Sequence, residues 1–145
     1  MNDSRNASYA AFVLRTALGV MFIAHGFYLK LFVFGLAGTV GFFQSLGLPA
    51  ASAYAVIAAE SAGGAMLLLG LYTRPVAVAL LPVLLGATWV HAKNGWLFNV
   101  QGGGWEYPVF LAIVAVSVAI LGEGAFAVSR MSSAPSRAGS KQYAV

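Results

Sequence analysis

The sequence predicts an all-α membrane protein, a four-transmembrane-helix bundle with an interfacial or re-entrant segment between helices 1 and 2. Three observations predict it. Of the 145 residues, 60% are hydrophobic and only 8% charged, whereas a soluble domain carries about 25% charge. Long apolar runs recur along the chain, and the mean hydropathy is +0.83. The basic residues sit mostly at the ends of those runs, where membrane topology uses them. The net charge of +4 is therefore no sign of a nucleic-acid partner. The chain has no cysteine, which excludes disulfides, thiolate metal sites and thiol chemistry by this chain itself.

The first span is Tyr9–Leu29, after a short polar start. It is too long for the apolar part of a signal peptide, contains Arg15, and is not promptly followed by an A-x-A cleavage site, so it is read as uncleaved. Residues 30–49 are apolar but broken by Gly35, Gly38, Gly41, Gly47 and Pro49. Phe32, Phe34, Phe42 and Phe43 suit a segment lying at the bilayer surface or dipping into it. The second span is Ala50–Leu71. Its Ala51, Ala55, Ala59 and Gly63 stand at spacing four, a pattern that lets a second helix approach closely.

Tyr72-Thr73-Arg74-Pro75 is a tight turn, and Pro75 sits in the first turn of the next helix without losing a hydrogen bond. The third span, Val76–His91, contains Pro82, expected to kink it or free a carbonyl for a neighbouring helix. Lys93–Glu106 is a loop with turn signals at Asn94-Gly95 and Gly102-Gly103-Gly104, and Trp96–Val100 is expected as a short strand. Trp89, Trp96, Trp105 and Tyr107 gather at this end as an aromatic belt would. The fourth span is Tyr107–Val128. Residues 1–128 are thus expected to form one membrane domain (spans about 9–29, 50–71, 76–91 and 107–128), and the polar residues 129–145 a disordered cytoplasmic tail.

Four spans put both termini on one side, together with the turn at Arg74. That face carries Arg5, Arg74, Arg130, Arg137 and Lys141, and the other only Lys30 and Lys93. The excess predicts both termini in the cytoplasm, with the two larger loops facing outward.

Five ionisable residues lie within or at the ends of the spans: Arg15, His25, Glu60, His91 and Glu123. A charge at bilayer depth costs at least about 2.5 kcal/mol on insertion scales, so such groups face partners inside the protein. The helical rise puts Arg15 roughly 9 Å and Glu123 roughly 8 Å from the inner face. An Arg15–Glu123 ion pair is expected, with structural stapling as its simplest purpose. By the same rise His25 lies roughly 6 Å and Glu60 roughly 14 Å below the outer face, with His91 at the rim. These three are expected to line an outward-opening cavity with Glu60 at its floor and without a full positive partner, hence protonated or engaged by a ligand. Gly63 and Gly64 leave room beside the acid.

Two imidazoles and a carboxylate are also the inventory of a metal site. No two of them stand at ligand spacing on one helix, so no metal is expected. A quinone-type site fits the residue types better: His25 and Glu60 would serve the carbonyl oxygen and its proton, with Trp89 and Phe22 as flat walls. Equally, Glu60 and His25 would hydrogen-bond each other and merely fix the register of the first two helices.

The motifs LRTALGVMFIAHGFYLKLF, GTVGFFQSLGLP, AESAGGAMLLLGLYTRPVA, GATWVHAKNGW, GGGWEYP and LGEGAF, in that order and spacing, resemble the DoxX family of small bacterial membrane proteins over roughly Val13–Val128. The resemblance implies a four-helix protein of the bacterial inner membrane, with His25, Gly26, Glu60, Gly63 and Gly64 in the family core. It further implies a link to quinone enzymes of respiration and sulfur oxidation, or to membrane oxidoreductase complexes that handle oxidative stress. The chain has no flavin motif and no haem-ligand pair, so it is not expected to catalyse such a reaction alone. Three functions stay open: an accessory subunit that binds quinone or lipid and docks a partner oxidoreductase, a small-solute or proton transporter, and a purely structural subunit. A homo-oligomer is expected chiefly under the second.

Overall fold

A computed structural model describes residues 2–129, so the expected tail falls almost wholly outside the described residues. Those residues are all-helical, with no strand among them. Helix α1 (Asn2–Ile23) runs without a break into a π-helical segment (Ala24–Val33), and α2 (Gly35–Ser45) follows. Then come α3 (Ala50–Leu69), α4 (Thr73–His91) with a short 3₁₀ turn at Ala92–Asn94, and α5 (Glu106–Leu121). Helices α1, α3, α4 and α5 pack in a closed ring, each against two neighbours, while α2 lies against α3 and the π segment. Leu18, Phe22, Leu67, Val76, Ala77, Leu80, Leu84, Ala115 and Val118 form the core between them.

Three elements are long and apolar enough to cross a membrane: Asp3–Val33, Ala50–Leu69 and Thr73–Asn94. Helix α5 is apolar but has 16 residues, about 24 Å of helix. It ends earlier than the sequence suggested because Gly122 (φ 85°) and Gly124 (φ 69°) turn the chain. The chain then folds back, and the Ala125 N–H donates to the Ser8 carbonyl at 2.9 Å.

Three further expectations change. Residues 30–33 continue the first helix, and 35–45 form a helix of their own despite the glycines. The expected strand at Trp96–Val100 is a set of turns. Its polar groups bond locally instead: Glu106 N–H to the Trp96 carbonyl at 3.1 Å, and Phe98 N–H to the Glu106 carboxylate at 2.9 Å.

The buried stripe of α3 is Ala53, Ile57, Glu60, Gly64 and Leu67 with Gly63 beside it, whereas Ala51 and Ala55 are exposed. The close approach of α1 to α3 uses glycines outside the spacing-four pattern. A Cβ at Gly19 would stand 2.9 Å from the Gly64 carbonyl oxygen, and one at Gly26 would stand 2.5 Å from Glu60 Cβ. Pro75 sits in the first turn of α4 as expected. Gly70, left-handed at φ 69°, closes α3, with Leu71 N–H reaching the Met66 carbonyl at 2.9 Å, the bonding of a glycine C-cap.

Candidate functional site

The polar residues inside the bundle fall into two groups at opposite ends of the first helix. The group nearer the N-terminus centres on Arg15, which is 0% exposed. Its Nε donates to the Glu123 carbonyl at 2.9 Å and its Nη2 to the Ala125 carbonyl at 3.2 Å. Its Nη1 donates to the carbonyls of Leu67 and Leu68, the latter at 2.7 Å. Leu67 and Leu68 belong to the last turn of α3, where helix carbonyls run short of backbone donors; Leu67 already accepts from the Gly70 N–H at 3.1 Å. A guanidinium there satisfies them and meets the negative end of the helix dipole. Arg15 and Glu123 are thus together, joined through the Glu123 backbone oxygen.

The second group lines a cavity of about 160 Å³ walled by Met21, Phe22, Val83, Leu84, Ala87, Pro108 and Leu111, with His25, Lys30, Glu60, His91 and Tyr107 as its polar members. The predicted trio of His25, Glu60 and His91 is therefore in one cavity. The expectation that Glu60 lacks a cation is corrected. Lys30 Nζ stands 2.5 Å from Glu60 Oε2, with side-chain exposures of 18% and 8%. Nor do His25 and Glu60 hold each other. His25 Nδ1 bonds to the Met21 carbonyl at 2.8 Å, and Glu60 bonds to Lys30.

Lys30 is the residue that sequence reasoning missed, having been assigned to a loop. The reason is the winding. In an α-helix, positions five apart, such as His25 and Lys30, point about 140° apart. The segment Ala24–Val33 is π-helical, and its exit is marked by a Phe34 N–H bond to the Leu29 carbonyl, five residues back, at 2.8 Å. A winding whose bonds join residues five apart stacks i over i+5, so His25 and Lys30 share the face that looks into the cavity. Thr39 Oγ1 of α2 donates to the Lys30 carbonyl at 2.8 Å and ties that helix to the segment. Apolar periodicity carries no signal for a π winding. A cation five residues after a histidine was the only hint.

The remaining candidates lie elsewhere. Gly63 and Gly64 sit beside Glu60 in sequence but serve packing. A Cβ at Gly63 would meet Leu80 side-chain carbons at 2.9–3.2 Å, and one at Gly64 would meet Ile23 Cγ1 at 2.8 Å. Trp89 is 64% exposed and is not among the lining residues, where Phe22 and Tyr107 are the flat walls. The rings of Tyr107 and His25 lie 5.9 Å apart.

At the rim, His91 Nδ1 bonds to the Gly102 carbonyl at 2.9 Å, and Asn94 Nδ2 to the same oxygen at 2.8 Å. The loop across the cavity end is thereby latched to α4, with Trp96 and Trp105 packed edge to face at 4.4 Å. Both histidines place Nδ1 on a carbonyl, which only accepts, so Nδ1 carries the proton. In the neutral ring Nε2 then keeps its lone pair. Among the described residues no three His, Asp or Glu groups converge as a metal site.

Apolar helices around a small cavity with a buried ion pair define a helical membrane protein with a polar site inside the bundle. The DoxX family model matches residues 10–93, and the chain belongs to that family. A relative in Bacillus subtilis (strain 168), named "Putative oxidoreductase CatD", is 35% identical over 111 residues, which are 76% of this chain and 77% of the relative. No solved structure matches the chain. The family segment holds His25, Lys30, Glu60 and His91, and Tyr107 lies beyond it.

Proposed function

We propose that the chain is a subunit of the bacterial inner membrane, an accessory to a quinone-linked or oxidative-stress oxidoreductase system, and that it holds the ring of a quinone or the head of a lipid beside Lys30 and Glu60. In this reading residues 1–128 are one membrane domain of four spans, with α5 the shortest and α2 at the outer interface. Both termini are cytoplasmic.

The observation that carries the reading is a part-buried, charged pair lining a mostly apolar cavity of about 160 Å³. A cavity of about 150 Å³ takes a benzene-sized ring, so a ring fits while any prenyl tail must lie outside. Lys30 supplies a donor for a ring oxygen, Glu60 can exchange a proton with it, and Tyr107 and Phe22 flank it. The name of the Bacillus relative fits an oxidoreductase partner or system.

The test is gentle purification followed by lipid extraction, with binding of a short-chain quinone measured for the wild type and for Glu60→Gln. The reading predicts a co-purifying quinone or defined lipid, and weakened binding in the variant. A protein that carries neither and whose quinone binding is unaltered by the variant would contradict it.

A further inference from the structure

We infer that the cavity selects the dihydroxy, reduced form of its ring ligand over the dicarbonyl, oxidised form; this rests on the ring-binding reading above. The argument is a count of donors and acceptors. Lys30 is an ammonium with three N–H donors, one of them spent on Glu60 Oε2. Tyr107 adds a hydroxyl that can donate or accept. The other polar side chains of the lining bring acceptors: Glu60 has a second carboxylate oxygen, and His25 and His91 in their neutral form keep a lone pair on Nε2, their Nδ1 protons being committed to the Met21 and Gly102 carbonyls.

A dicarbonyl ring carries acceptors alone. It can use Lys30 and Tyr107, and it leaves the carboxylate oxygen and both imidazoles without a donor. A dihydroxy ring brings two O–H donors to that acceptor set and still offers oxygen lone pairs to Lys30. Acceptors stripped of water and left unpaired weaken a complex far more than an extra hydrogen bond strengthens it. The imbalance therefore favours the reduced ring. No covalent or electron-transfer step is involved, only a difference in affinity between two redox forms.

The test uses the full chain in lipid nanodiscs under anaerobic conditions, titrated with duroquinol and separately with duroquinone, whose ring carbons are blocked against addition by lysine. The expected result is a Kd for duroquinol about tenfold lower, equivalent to about 1.4 kcal/mol. His25→Phe removes one acceptor and keeps a flat ring; it should weaken duroquinol binding more than duroquinone binding and so shrink the preference. His91→Leu, at the rim, should likewise shrink the preference for duroquinol, and serves if the first variant does not fold. Equal affinities, or tighter duroquinone binding, overturn the inference and leave the ring-binding reading standing. Failure of both probes to bind overturns both. A wild-type preference unchanged in either histidine variant also overturns it, since the histidines are then not its source.

Discussion

Arg15 and Lys30 are both cations of the first helix that reach α3, and they meet opposite kinds of partner. Arg15 is spent on backbone carbonyls: two from the last turn of α3 and two from the segment after α5. These hydrogen bonds all go to backbone groups that folding itself must satisfy. Lys30 makes one bond, to a carboxylate in the middle of α3, at the wall of a cavity. A caged guanidinium has little left to offer a ligand, whereas an ammonium with free donors beside an acid does. Both charges are costly at bilayer depth, yet only the second leaves unspent chemistry next to open space.

The largest effect is expected from Arg15→Ala, which takes a donor from four carbonyls and unties α3 from the C-terminal segment. Removing one member of a buried polar network costs about 3–5 kcal/mol. Thermal unfolding in detergent should show the loss, while quinone affinity per folded molecule stays as in the wild type. Arg15→Lys should recover only part, because one ammonium cannot reproduce the guanidinium fork.

Next comes Lys30→Met, which leaves Glu60 buried without its cation at about 2–3 kcal/mol. In contrast to Arg15→Ala, it should also abolish ring binding. Gly26→Ala should cost about 1–3 kcal/mol by overpacking, because the added Cβ would stand 2.5 Å from Glu60 Cβ. Its binding defect should exceed that of an equally destabilising change at the Arg15 end. The smallest effect is Thr39→Val, about 1 kcal/mol for one hydrogen bond. It loosens α2 from the π segment and should lower affinity without altering the unfolding midpoint by more than a few degrees.

The two ends also differ in how far the sequence revealed them. Arg15 and Glu123 could be brought together by counting residues from the inner face, since both lie in or beside ordinary α-helix. The atom that joins them could not, because a carbonyl exposed by Gly122 and Gly124 leaves no mark on composition. At the other end, depth alone put His25, Glu60 and His91 in one cavity. Lys30 escaped because its placement depends on a π winding, and hydropathy is blind to hydrogen-bond register. Glycines misled in both directions. Those at 35, 38 and 41 suggested a broken segment that is helical, while Gly19, Gly26 and Gly64, which set the α1–α3 crossing, stand on no single regular spacing.

The claim that Arg15 holds the fold and the Lys30–Glu60 pair holds a ligand is tested most directly by the double variant Lys30→Met/Glu60→Leu. Replacing both members of a buried pair with apolar groups of similar size is often close to neutral for stability. Quinone binding and thermal unfolding should be measured on the same preparation. The account predicts an unfolding midpoint near that of the wild type and no detectable binding. Wild-type affinity in the folded double variant would contradict it.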